Sequence, residues 1–321
     1  MAAQLEPVVD YEQAEDSPQP EDSLQQVVVQ APPKKHVTPH MMMEKLKVPH
    51  STIDGLQHPW GVAVNKRGEV IVAEFNGHCV SVFSPEGERL QSFGTKGSGE
   101  GQFNSPCGVA VDVDDNIFVV DYNNHRIQKF TSNGKFIKSV GKKGDKKQDF
   151  NCPIGIGVHP HSGNVYVVDN RNHRIQILTS DLSFSGRFGK RGNNDGQLYH
   201  PWGVAFDSSG KVYVADGGNH RIQVFKQSGR FLKKFGREGR GNGELKWPSS
   251  ITIDYDDVVY VTEDGNHRFS TFTTEGRFLI SVGTRGIRRG AGEFINPRGV
   301  AVDVAGGVFL SDSSHNRLQL Y

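Results

Sequence analysis

The sequence predicts an all-β fold, a six-bladed β-propeller of four-stranded antiparallel blades, and three observations carry that expectation. A proline-led motif recurs six times, as HPWGVAVN at Pro59, SPCGVAVD at Pro106, CPIGIGVH at Pro153, HPWGVAFD at Pro201, WPSSITID at Pro248 and NPRGVAVD at Pro297. Each period, 47 to 49 residues long, holds four short runs of alternating apolar character and no window of helical period. Glycine supplies 38 of 321 residues, above ordinary usage and in keeping with many tight turns. Four strands per period match a propeller blade, whereas a leucine-rich solenoid uses one.

The elements follow in chain order. Residues 1–43 hold seven acids, no base before Lys34, and prolines at 7, 18, 20, 32, 33 and 39. So little apolar surface cannot offset chain entropy, and a disordered acidic, Pro-rich tail is expected, either solvated or a docking peptide. The propeller is expected over 44–321. In the fourth copy GVAFD, KVYVAD, RIQVF and RFLKKFG read as the strands, with SSG, GGNH and KQSG as turns. The sixth copy reaches RLQLY at Tyr321 after only three strands. Glu44 to Val48, on the N-terminal side, is therefore expected to pair with Arg317 to Tyr321 and close the ring, because an open edge is a liability.

Composition excludes several classes of function. With 35% hydrophobic residues, 23% charged and a net charge of +1, the chain makes no whole-molecule case for DNA or a membrane as partner. Cys79, Cys107 and Cys152 form no C-x-x-C pair, which excludes a zinc finger or RING built from this chain. Their odd number fits a reducing compartment. The first residues are acidic where a secretory signal is basic and then apolar, and no run approaches the length of a membrane span. A cytoplasmic, monomeric protein is expected.

The polar motif NNHRIQKF from Asn123 resembles a small active site until its copies are counted: RNHRIQIL, GNHRIQVF, GNHRFSTF, and the weaker NGHCVSVF and SHNRLQLY. A group present in nearly every repeat is structural. An acid stands five residues before each Arg, giving the pairs Asp121 with Arg126, Asp169 with Arg174, Asp216 with Arg221, Glu263 with Arg268 and Asp312 with Arg317. The first copy pairs Glu74 with Cys79 in the Arg place. Each pair is expected to lock a turn by charge-assisted hydrogen bonds. Histidines 78, 125, 173, 220 and 267 fall one to a blade, too far apart to converge on zinc, so neither metal nor other cofactor is expected.

The run P-x-G-V-A-V-D, V-Y-V-A-D, N-H-R-I-Q-V-F and G-x-F-L-x-x-F-G resembles the NHL repeat over residues 58–321. It is most similar to the C-terminal propellers of tripartite-motif proteins, here without RING, B-box and coiled coil. The resemblance implies a binding platform and no enzyme. Its ligand would be RNA in post-transcriptional regulation or a protein partner. An alternative is a substrate-recognition component, or relative, of a ubiquitin ligase that lacks its own RING. A metal-dependent propeller enzyme of the lyase or lactonase type is the remote alternative.

If repetition marks scaffold, ligand binding belongs to the departures. The residue after each opening Pro is Trp60, Cys107, Ile154, Trp202, Ser249 or Arg298, and it sits at the mouth of the central channel. Trp60, Trp202 and Arg298 offer stacking surfaces and a donor for RNA or a protein hot spot, and Phe75, Tyr122 and Arg171 extend them. Antiparallel alternation puts the inter-blade loops on the same face. These loops are basic, through Lys142, Lys143, Lys190, Arg191, Arg288 and Arg289 among others, with fourteen bases against seven acids. Lysines that only confer solubility are the alternative reading of that charge.

Overall fold

The computed structural model describes Lys34, residues 36–286 and residues 289–321. Most of the expected acidic tail, residues 1–33 and 35, lies outside the described residues, as does Arg288. The strands form six four-stranded antiparallel sheets, the blades of a closed propeller, and one short parallel pair, Thr284–Arg285 with Glu293–Phe294, in the loop before the sixth blade. In the second blade they are Pro106–Val111, Ile117–Asp121, Arg126–Phe130 and Phe136–Val140, from the channel outward. The second strand of every blade is buried at each position, because neighbouring blades cover both of its faces. This explains why VYVVD and VYVAD read as continuous apolar runs. The outermost strands are more exposed than the second strands, and Phe184–Phe188 alternates at every position.

The ring closes with a strand from the N-terminal side, but not the expected one. Ser51–Ile53 pairs with the third strand of the sixth blade, Ser51 opposite Leu320 and Ile53 opposite Leu318. Glu44 to Val48 does not pair with Arg317 to Tyr321, because Pro39–Lys45 is a helix. Thr38 caps it, its side chain accepting from the Met41 amide at 3.3 Å, and Pro39 occupies the first turn. The helix buries Met42, and Leu46 follows one turn on, against Leu279, Phe294 and Tyr321. The expected boundary between tail and propeller at residue 43 thus falls inside this helix.

The recurrent acids are all buried, with Asp121, Asp169, Asp216, Glu263 and Asp312 fully so. Each carboxylate is satisfied from several sides. Asp169 accepts from the Asn151 amide at 2.7 Å, from Asn172 Nδ2 at 2.9 Å, from Arg174 Nε at 2.8 Å and from Gln176 Nε2 at 3.3 Å. Arg174 then donates to the carbonyls of Asp145, Lys146 and Asp149, all in the loop that enters its blade. The same fork links Arg126 to the carbonyls of Ser98, Gly99 and Gln102, and Arg268 to those of Arg240, Gly241 and Glu244. Arg221 and Arg317 make equivalent bonds. The acid therefore holds the arginine, and the arginine holds the loop.

The exception obeys the same logic. The chain enters the first blade by the short stretch 54–58 and no long loop, so there is nothing for an arginine to hold, and Cys79 stands there instead. Arg89 of the outer strand takes over the charge of Glu74 at 3.3 Å. Each long loop also plugs one fully buried side chain between blades: Phe103, Phe150, Leu198, Leu245 or Phe294.

Asp216→Asn should lower unfolding stability by about 3 kcal/mol, because Arg221 keeps its buried charge without a counter-ion. Cys79→Ala should cost less than about 1 kcal/mol. Urea denaturation followed by tryptophan fluorescence measures both, and equal effects would contradict the assignment of the pair as a fastener.

Candidate functional site

The six innermost strands surround a channel with a cavity of about 340 Å³. The glycine of each P-x-G triplet lets adjacent inner strands meet closely. A Cβ at Gly299 would stand 2.1 Å from the Trp60 carbonyl, and one at Gly155 would stand 2.2 Å from the Trp202 carbonyl. The backbone that carries each indole is thereby pressed against its neighbour blade.

Of the six mouth residues, the structure brings three together. The Arg298 guanidinium lies 5.0 Å from the Trp60 ring centre and 4.9 Å from that of Trp202, and the two indoles are 5.9 Å apart. Such contacts are worth about 0.5–2 kcal/mol each. Phe75 stacks on Trp60 at 4.3 Å with the planes 19° apart, and Tyr122 approaches both rings at 6.3 and 6.0 Å. Trp60 Nε1 donates to His58 Nδ1 at 3.0 Å. Cys107, Ile154 and Ser249 are buried in the channel lining.

Arg298 does not serve as the exposed donor that its position suggested. Its side chain is only 16% exposed, and its charge meets Asp264 at 3.3 Å. Burial holds the guanidinium below its ordinary pKa, with Asp264 opposing. Nε and Nη1 are buried without a hydrogen-bond acceptor among the described residues. Arg298 is a pillar that sets the two indoles at fixed spacing. Asp264, its counter-ion, carried no mark in the sequence, since it belongs to the turn of the adjacent blade.

The loop cations divide likewise. Lys142, Lys143, Lys190 and Arg171 are exposed, and Arg191 is exposed while lying 5.5 Å over Tyr199. Arg289 is committed to Asp54 at 3.1 Å and to the His315 carbonyl at 2.5 Å. Trp247, 42% exposed on the same face, went unnoticed in the sequence. Its signal was the variable residue before each Pro, which adopts positive φ throughout: His58, Ser105, Cys152, His200, Trp247 and Asn296.

The recurrent histidines sit at left-handed φ of 53° to 54° after the strand-connecting turn. Each Nδ1 accepts the backbone amide that precedes the next blade's Pro: His78 from Ser105 at 3.0 Å, His125 from Cys152 at 3.0 Å, His173 from His200 at 3.1 Å and His220 from Trp247 at 3.1 Å. Asn316 Oδ1 does the same for His58 at 3.0 Å, which explains the substitution in the sixth copy. An accepting Nδ1 must be unprotonated. Burial, aided by neighbouring cations, pushes His78, His125 and His267 below the usual imidazole range, and burial with His200 and Arg191 brings His173 to about 4. Among the described residues no three His, Cys, Asp or Glu side chains converge as metal ligands. No helix among them is long and apolar enough to cross a membrane.

Four segments, residues 56–83, 103–130, 150–178 and 198–225, match the NHL repeat. The chain carries NHL repeats. Two further NHL-like copies complete the six blades by their strands and their acid–arginine pairs. No curated protein matches the chain in sequence. Solved structures share the NHL propeller's fold at low identity. Virginiamycin B lyase from Staphylococcus aureus is 16% identical, with a TM-score of 0.59 over 84% of this chain and 87% of that one. A gluconolactonase from Xanthomonas campestris is 15% identical, with a TM-score of 0.62 over 84% and 87%. A chain of the nidogen/laminin complex is 21% identical, with a TM-score of 0.57 over 76% and 84%.

These neighbours correct the expectation that the chain is no enzyme. The fold it adopts is one on which a lyase and a gluconolactonase are built, so repeated scaffold residues are no argument against catalysis.

The histidine struts have a pH signature. The folded pKa values of His78, His125, His173 and His267 lie below the unfolded value near 6.5, so the unfolded chain binds more protons as pH falls. Stability should be full above pH 6.5 and decline from there through about 4 for His173. His173→Asn, which retains an acceptor as Asn316 does, should make that decline shallower in urea melts at pH 4 to 8. An identical profile would contradict the strut.

Proposed function

We propose that the NHL propeller is a binding platform that takes single-stranded RNA across its loop face, bases stacking on the mouth and backbone following the basic loops. The observation that carries this reading is contiguity. Trp60, Phe75, Tyr122 and Trp202 form one half-exposed aromatic surface, and the exposed Lys142, Lys143, Lys190, Arg191 and Arg171 flank it on the second, third and fourth blades. Stacking platforms beside cationic tracks are what single strands need, since every base offers a π-face and every link a phosphate. The resemblance to tripartite-motif propellers supports the same ligand and a role in post-transcriptional regulation. The three free thiols fit the reducing cytoplasm.

A second reading has its own observation. The similar fold in the nidogen/laminin complex belongs to a protein assembly, and the same aromatic surface suits a protein hot spot. That reading accommodates a substrate-recognition part of a ubiquitin ligase whose RING resides on another subunit.

Salt separates the two. RNA affinity should fall linearly on a log–log plot of binding constant against salt, through counterion release, whereas an apolar protein contact should change little. Tyr122→Ala should weaken RNA binding by roughly 5- to 150-fold, from one lost stack of about 1–3 kcal/mol. Lys142→Glu with Lys143→Glu should abolish it, with the fold unchanged by circular dichroism. Fluorescence anisotropy with a randomised RNA pool reads both, and wild-type affinity in these variants would remove RNA as the ligand.

A further inference from the structure

On the loop face each strand-connecting turn is held between the loop that enters its blade and the loop that leaves it, as Asn172 Nδ2 donates to the Gly144 carbonyl and His173 Nδ1 accepts the His200 amide. Equivalent positions of the two loops flank each turn. The carbonyls of Ser98, Asp145 and Arg240 each receive the same guanidinium nitrogen of their blade's arginine, which fixes one flank. The other flank carries Lys143, Arg191, Glu238 or Arg285, each two residues past the glycine that begins its loop. The second blade thus sets Lys143 against Ser98 and the third sets Arg191 against Asp145. In the fourth, Glu238 lies 4.0 Å from His220. Among the described residues the fifth alone brings two arginines, Arg240 and Arg285, into the lining of one cavity.

That cavity, the fifth-blade notch, is about 360 Å³, with His267 and Gly265 also in its lining. Gly265 stands where the second and third blades have Asn123 and Arg171, and it packs against the Lys246 side chain, whose Cγ would lie 2.6 Å from a Cβ placed there. Arg240 and Arg285 are exposed, and among the described residues neither side chain has a carboxylate partner. Nearby charges are already matched: Arg268 by Glu263 at 2.8 Å, Arg237 by Glu244 at 3.1 Å and Asp264 by Arg298 at 3.3 Å. Two uncompensated planar donors lining one cavity call for a ligand with several acceptor oxygens and at least one negative charge.

We infer that the fifth-blade notch is a phosphate-binding site in which Arg240 and Arg285 clamp one phosphate group. The phosphate would come from the backbone of RNA lying on the loop face, so its source, though not the site, rests on the platform reading. Free inorganic phosphate shares the chemistry. Among the described residues neither arginine side chain makes a hydrogen bond or ion pair, and only the Arg240 carbonyl is used by Arg268, so both side chains can be changed without unfolding the protein.

The test titrates inorganic phosphate into the full chain at constant ionic strength, with chloride as the balancing anion, and follows the His267 ring resonances by NMR. A saturable shift is expected, with at least tenfold weaker binding in the R240A/R285A variant and partial retention in R240K/R285K. No saturable shift, or the same shift in R240A/R285A, overturns the site, even if RNA still binds the face. In a second arm R240A/R285A should lower RNA affinity and flatten the salt slope by about 0.7, the value for one single-strand phosphate. An unchanged slope overturns RNA as the source. A phosphate shift in a chain that binds no RNA at all upholds the site and sinks the platform reading.

Discussion

The buried carboxylate at the end of each blade's second strand is the constraint on which the rest of the propeller depends. A fully buried charge is tolerable only when every lone pair is used, and Asp169 shows how: an amide of the entering loop, the turn's Asn172, Arg174 and Gln176 converge on it. Arg174 is thereby fixed in one rotamer, with its remaining donors aimed at three loop carbonyls. Loops rich in glycine would otherwise sample many conformations. Here a charge in the core disciplines each of them, and His173 of the same turn accepts the His200 amide at the next blade's entry. The network therefore works between blades as much as within them.

This arrangement leaves the loop face rigid in backbone and variable in side chains, the condition under which a surface can be adapted to a ligand without loss of fold. The mouth carries the principle further. Arg298, buried between two indoles, spends its charge on Asp264 and on the rings, and so fixes the spacing of flat surfaces instead of reaching outward. Cations free to meet a ligand stand farther out, on the loops and at the fifth-blade notch. Center and rim thus divide the labour between stacking and charge.

Much of this was legible in the sequence because repetition makes it so. The opening prolines set the blade register, the continuous apolar run marked the second strand, and the acid five residues before the arginine named the pair. What escaped was what repetition does not cover. The closing strand Ser51–Ile53 is three residues long, too short to carry an alternation signal, while MEKLKV alternates well enough to imitate a strand. Thr38 and Pro39 were a helix-start signal in front of it, and Met42 with Leu46 had helical spacing. The partnership of Arg298 with Asp264 joins residues on neighbouring blades that no linear pattern connects. Arg298 therefore read as a donor when it is a support.

The central claim is that recurring polar residues build the wheel and the loop face meets the ligand. Hydrogen–deuterium exchange with and without a randomised RNA pool tests it most directly. The account predicts protection confined to the strand-connecting turns around Phe75, Tyr122, Arg171 and His267 and to the loops at 141–152, 189–200, 236–247 and 283–286. Protection on the opposite face, at turns such as 112–116 and 254–257, with the loop face unchanged, would contradict it.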